Sequence, residues 1–404
     1  MGNDEPDLAF GHTLTATDDP RESMLRLPRI AQAPLTLLTG KPHAGQPAIR
    51  LTAGFHVVGS CLSMVFGFAF TAAALSLGGV WSGLCVIGVA MTLHGMRNAR
   101  MMVFHQAAHK NLYRRERLDR AIGQACSAIL LVQNFTQYSR EHTAEHHSRH
   151  HMTLRDPTVQ AFLVGLGLGP GMSRPVMWRK VLTKLCSPVF HLSFAVGRVR
   201  SFWSGSTRAE KSIAVGFYAI AASVATATGT WPVLVVGWMI PLFPLFQISN
   251  TLRLCVKHTF PEPGCEDITG KTRMASLTNA IFIGEAVPDR GTGRRRAAVG
   301  WLHWTFRMIA IHAPARYLVL TGDTVCHDFH HRYPRHKLWY DYISERQMDS
   351  DTAGSDWPPY TEVWGLAQAI GHVFDSLGRA DPEFYDRAKI GSVSSRAVFA
   401  AFDD

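Results

Sequence analysis

The residues best placed to do chemistry in this chain are histidines, and their spacing is what matters. His105 and His109 form an HxxxH pair, and His327, His330 and His331 form an HxxHH box. Between Glu141 and His151 lie five more: His142, His146, His147, His150 and His151. His258 stands alone. On a helix, residues i, i+3 and i+4 share a face, so two imidazoles at these spacings can close on one ion while an adjacent third reaches a neighbouring ion. Imidazole suits iron, copper, zinc and nickel. Eight or nine converging imidazoles exceed what one ion accepts, so the spacing implies two ions. A solvated or pH-sensing patch is the bland alternative, and three such clusters beside long apolar runs argue against it. Isolated histidines such as His56, His94, His191 and His312 read as packed or interfacial side chains.

Other metal chemistries are excluded by motif. Soluble di-iron bundles use glutamates with an ExxH motif, and zinc proteases use HExxH. Neither pattern occurs here. The seven cysteines are scattered, without a CxxC pair, so neither a disulfide framework nor a zinc ribbon follows.

The elements that must position the histidines are apolar. No Asp, Glu, Lys or Arg occurs from Leu51 to Met96 or from Ser212 to Leu252. A bilayer-spanning helix needs about 20 apolar residues, so each run is long enough for two spans and a tight turn. The expected spans are near 53–75, 80–96, 212–228 and 232–250, with Pro241 and Pro244 kinking the last. Gly78, Gly79 and Trp81 suit the first turn, and Trp231 falls at the second, where aromatic residues favour the interface. Cations flank the hairpins: Arg97, Arg100 and the 110–120 stretch, then 198–211, then Arg253 and Lys257. Positively charged loops stay inside, which places both termini and all the histidine boxes on the cytoplasmic side. The same topology accounts for the formal charge of +10 without nucleic acid.

Residues 1–50 read as a polar, weakly ordered lead-in with no cleavable signal peptide and no myristoylation pattern. Residues 51–350 form the membrane domain, and 351–404 read as a loose tail. Two short apolar stretches, 121–135 and 159–172, read as interfacial or buried helices. A further mixed helix is expected near 298–320.

The order of HxxxH, a central histidine box, an isolated histidine and a final HxxHH, with Asp156-Pro157 after the second box, resembles the membrane fatty acid desaturase/hydroxylase superfamily over roughly residues 50–340. The resemblance implies an all-α membrane protein: four transmembrane helices in two hairpins under a helical cytosolic cap, with a di-iron site at the junction. It carries His105, His109, His258, His327, His330 and His331 over as ligands. The second box has two registers. His142, His146 and His147 give the HxxxHH form of membrane alkane hydroxylases and some bacterial desaturases, and the distance to Asp156-Pro157 favours it. His147, His150 and His151 give the HxxHH form of common acyl desaturases. In the favoured register, His150 and His151 lie behind the ligands or at the surface.

The chemistry implied is an O₂-dependent oxidation of an unactivated C–H bond in a lipid-like substrate, free or carrier-bound, with desaturation favoured and hydroxylation as the alternative. With no HPGG haem motif, ferredoxin-type cysteine set or GxGxxG motif after a strand, electrons are expected from a separate ferredoxin, rubredoxin or cytochrome-type donor. A metal transporter, which places polar residues inside its spans, and a non-catalytic histidine-rich membrane sensor are the rival classes.

Overall fold

The computed structural model describes residues 19–141, 151–265, 268–288, 293–352, 356–391 and 402. The chain is mostly helical, and among the described residues four helices are long and apolar enough to cross a membrane: Ala53–Leu77, Gly79–Ala108, Arg208–Thr228 and Trp231–Lys257. Local sequence sets their ends. The Thr52 side chain accepts from Phe55 N to cap the first. Thr207 and Glu210 form a reciprocal capping box at the third. Gly78 and Gly229, with φ of 67° and 68°, end the first and third helices in backbone that favours glycine.

The first two helices pack backbone to backbone. A Cβ on Gly67 would lie 2.6 Å from the Gly88 carbonyl oxygen, and one on Gly95 would lie 2.6 Å from that of Ser60. Small residues permit this close approach where lipid supplies no hydrophobic drive between helices.

The second and fourth helices run past the ends expected near 96 and 250. The charges that mark a boundary in the sequence are buried inside the protein. Arg97 donates to Asn250 and to the Val319 carbonyl. The Arg100 guanidinium lies over the rings of Phe104 and Tyr138, at 4.7 and 4.3 Å. The helices therefore continue as carriers of His105 and His258. Ala99–Phe104 is a π-helical turn directly ahead of His105, a geometry that recurs at functional sites. Pro241 and Pro244 lie in a second π-helical turn, Pro241–Leu245, so the helix widens around the missing N–H groups.

Between the spans lie the expected short helices, observed as Glu116–Leu130 and Pro157–Leu166. The helix Phe135–Glu141, which leads into the second box, is tied down by Glu210. That buried carboxylate accepts from Asn134 Nδ2 and Phe135 N at 2.7 and 3.1 Å.

Two expectations about the ends of the chain are corrected. Residues 19–50 are not weakly ordered: Arg21 is fully buried and donates to Gln32, Thr36 and Gln46, closing a loop around the helix Arg29–Thr39. The tail is not loose throughout. Strand β2 (Glu362–Trp364) pairs in parallel with β1 (Ala280–Phe282), with Ala280 opposite Glu362. The helix Leu366–Arg379 then buries Ile370, Val373, Phe374 and Leu377 in the main core. Its polarity on the outward face hid this apolar stripe in the composition of the segment.

Candidate metal centre

Among the described residues, two groups of three histidines bring ligand atoms within 4.8 Å of one another: His105, His109 and His330, and His151, His258 and His331. All six are no more than 5% exposed, as is His327. Burial at this level removes the reading of a solvated histidine patch.

In the first group, His105 Nε2 lies 3.0 Å from His330 Nε2 and 3.1 Å from His109 Nε2. The second long helix supplies His105 and ends at His109. His330 arrives from the short helix His327–Arg332. In the second group, the His151 ring is 4.3 Å from that of His258 and 5.0 Å from that of His331. His327 lies at its edge, with Nε2 3.1 Å from His331 Nε2 and 3.3 Å from His258 Nε2. His258 sits just past the fourth span in extended backbone, where it forms a bridge with Thr278. One six-residue helix therefore serves both groups, and the ring centroids of His330 and His331 are 5.9 Å apart.

The geometry fits bound ions. Two imidazole nitrogens each about 2.1 Å from one ion at right angles would be separated by about 3.0 Å, close to the distances in the first group. The donor set suits a borderline transition metal.

Buried carboxylates stand behind the rings. His151 Nδ1 is 3.2 Å from Asp156 Oδ2. Asp156 is held in turn by Met152 N and Thr158 N at 2.7 and 2.8 Å, the second bond capping the Pro157 helix. On the other side, His330 Nδ1 is 3.8 Å from Asp323. Burial pushes the Asp323 carboxyl up to about 7, opposed by Arg253. A cation on the His330 ring would favour its ionised form. A carboxylate that accepts from the free N–H of a metal-bound imidazole orients the ring and raises its basicity, and Asp156 is within reach of that role.

The short helix has its own brace. Arg346, 1% exposed, binds Asp328 through Nε at 3.0 Å and Nη2 at 2.9 Å, and reaches Glu362 on β2 at 3.1 Å. The paired carboxylates hold the guanidinium firmly in its charged form despite burial. Lys41 joins the same network through Glu362 and Asp19. Arg332 lies 3.5 Å over the Tyr360 ring. Sequence reasoning missed Asp323, Asp328, Arg346 and Glu362. Asp328 lies inside the HxxHH box, where its adjacency is visible, but its partner 18 residues on carries no local signal.

His142, His146, His147 and His150 lie outside the described residues. His151, which the first register sets behind the ligands or at the surface, is 1% exposed between His258 and His331. The isolated histidines take other partners: His56 the Tyr340 carbonyl, His94 that of Tyr317, His191 that of Leu185, and His312 the Glu285 carboxylate at 3.6 Å.

The fatty acid desaturase family model matches residues 80–364, which span the second helix, both described histidine groups and β2. The chain belongs to this family. The match extends the resemblance read from the boxes beyond residue 340, into the segment that braces the third box. A comparison with curated proteins gives no match.

Proposed function

We propose that this chain is an O₂-dependent membrane di-iron oxidoreductase that desaturates an acyl lipid. The observation that carries the reading is the sharing of one short helix between two buried three-histidine groups. His105, His109 and His330 would hold one iron. His151, His258 and His331, with His327 at the edge, would hold the other. Two irons, when bound, supply O₂ reduction coupled to removal of hydrogen from an unactivated C–H bond. The protein's part is positional. The box helix fixes the spacing between the groups, Asp156 and Asp323 set a carboxylate beside Nδ1 of His151 and His330, and every ring of the two groups is buried.

The place of His151 supports the register His147, His150 and His151 over His142, His146 and His147, and the former is the register of common acyl desaturases. This favours desaturation over hydroxylation as the outcome. Electrons would come from a separate ferredoxin, rubredoxin or cytochrome-type donor. The cationic segments flanking the apolar helices support two hairpins that enter and leave from the cytoplasm, with the histidine-bearing cap and both termini on that side.

Mass spectrometry of product from an acyl panel, supplied with iron, O₂ and a reducing system, tests the reaction. Loss of two hydrogens, with a marked rate decrease on deuterated substrate, is expected. Gain of one oxygen from ¹⁸O₂ would replace desaturation with hydroxylation. Unchanged substrate across acyl and alkane panels, with iron loaded, would overturn lipid oxidation altogether.

A further inference from the structure

The helix Arg294–Arg307 and the π-helical turn Met308–His312 that continues it present two unlike faces. The inner face is filled: Trp304 and Met308 are buried against Met24, Leu35 and Val287 in a separate apolar cluster. On the outer face, Val299, Leu302, Phe306 and Ile309 are 66, 73, 62 and 68% exposed. Their spacing of three and four residues makes one continuous stripe. Exposure of so many large apolar side chains on one face marks a contact with something apolar.

Two observations say what that is. First, the chain beyond the stripe runs alongside the membrane helices. The Tyr317 carbonyl meets His94 Nδ1 at 2.8 Å, Leu318 accepts from Ser249, and Val319 accepts from Arg97 at 3.3 Å. Those partners belong to the second and fourth apolar helices, so the chain that carries the stripe leads directly onto two helices apolar enough to cross a membrane. Second, Arg294, Arg295 and Arg296 stand exposed at the head of the same helix. Among the described residues, Glu285 is turned to Arg307 and His312 at the other end of the helix. Cations at the start of an apolar stripe match the arrangement of an interfacial helix, whose apolar side enters the acyl boundary while arginines meet anionic headgroups.

We propose that Arg294–His312 is a lipid-embedded interfacial helix, its Val299–Leu302–Phe306–Ile309 face in the acyl region and its arginine triplet on anionic headgroups. Its arginines set it apart from the four apolar helices, and it adds a lateral foot to them. The inference does not depend on the reaction catalysed.

The test uses the full chain in nanodiscs of mixed zwitterionic and anionic lipid, with Phe306→p-benzoylphenylalanine irradiated and adducts identified by mass spectrometry. Lipid adducts should dominate, enriched several-fold in the anionic lipid. The Arg294→Ala, Arg295→Ala, Arg296→Ala triple variant should keep the adducts and lose the enrichment. Adducts to a second copy of the chain would overturn the proposal in favour of a dimer face. Adducts without enrichment would overturn its headgroup half. As an independent check, Leu302→Cys, read at that peptide, should react slowly with a membrane-impermeant maleimide; rapid labelling would place the stripe in water.

Discussion

His105 and His109 lie four residues apart at the end of one long helix, and only His330 has to be brought to them. His151, His258 and His331 arrive from three separate segments: the approach to the Pro157 helix, the extended backbone past the fourth span, and the box helix. The first group is largely prepared by local structure, because a helix fixes the i,i+4 relation wherever it forms. The second exists only once three parts of the fold have met. The box helix joins them, so whatever holds that helix serves both, whereas damage elsewhere should be confined to one.

The largest effect should come from Asp328→Ala. Breaking a buried ion pair by removing one partner costs about 3–5 kcal/mol, here leaving Arg346 beside the box with the partly exposed Glu362 as its remaining carboxylate. Iron per chain should fall in both groups together, with a clear drop in thermal unfolding temperature. Loss from one group alone, read by Mössbauer spectroscopy, would break the idea of a common support.

His258→Ala should be selective. We expect an inactive protein that still inserts in the membrane and retains about half of the wild-type iron, because the first group draws nothing from that segment. Wild-type turnover would return His258 to the class of ordinary packed histidines.

The register of the second box sharpens the comparison further. His150→Ala and His151→Ala should both lose iron and activity, and His142→Ala should be milder. The reverse pattern, measured by metal content, would restore the HxxxHH register and set His151 behind the ligands.

The smallest effects should come from the carboxylates behind the rings. Asp156→Asn and Asp323→Asn should each weaken metal affinity by about 10–100-fold. Asp156→Asn should act on the second group and Asp323→Asn on the first. Competition with a chelator, followed for each site, separates the two.

The same contrast explains what was readable in advance. The four apolar helices follow from uncharged runs, and His105, His109, His330 and His331 follow from helical spacing. Their exact ends did not follow, because Arg97, Arg100, Arg253 and Lys257 are buried by tertiary partners rather than left at a water boundary. The place of His151 was equally hidden: two overlapping patterns in one dense stretch are equivalent until the fold brings His258 beside one of them. Nor could the spacing show that residues 362–364 support the third box, since a parallel strand pair between segments some 80 residues apart leaves no periodic mark. The outward stripe of 299–309 was present in the sequence, but a helix periodic on two faces reads as merely mixed.

The parallel pairing of β1 with β2 also imposes an order in time. The fourth apolar helix ends at Lys257, and the helix that packs on it ends at Arg379. At translation rates of about 5–20 residues per second, those roughly 120 residues take on the order of ten seconds to make. Every described histidine of the two groups has been synthesised before the strand that carries Glu362, the outer partner of Arg346. The two groups can be finished only when nearly the whole chain has been delivered, so a ribosome that stalls short of residue 362 leaves a protein with its histidines present and their brace missing.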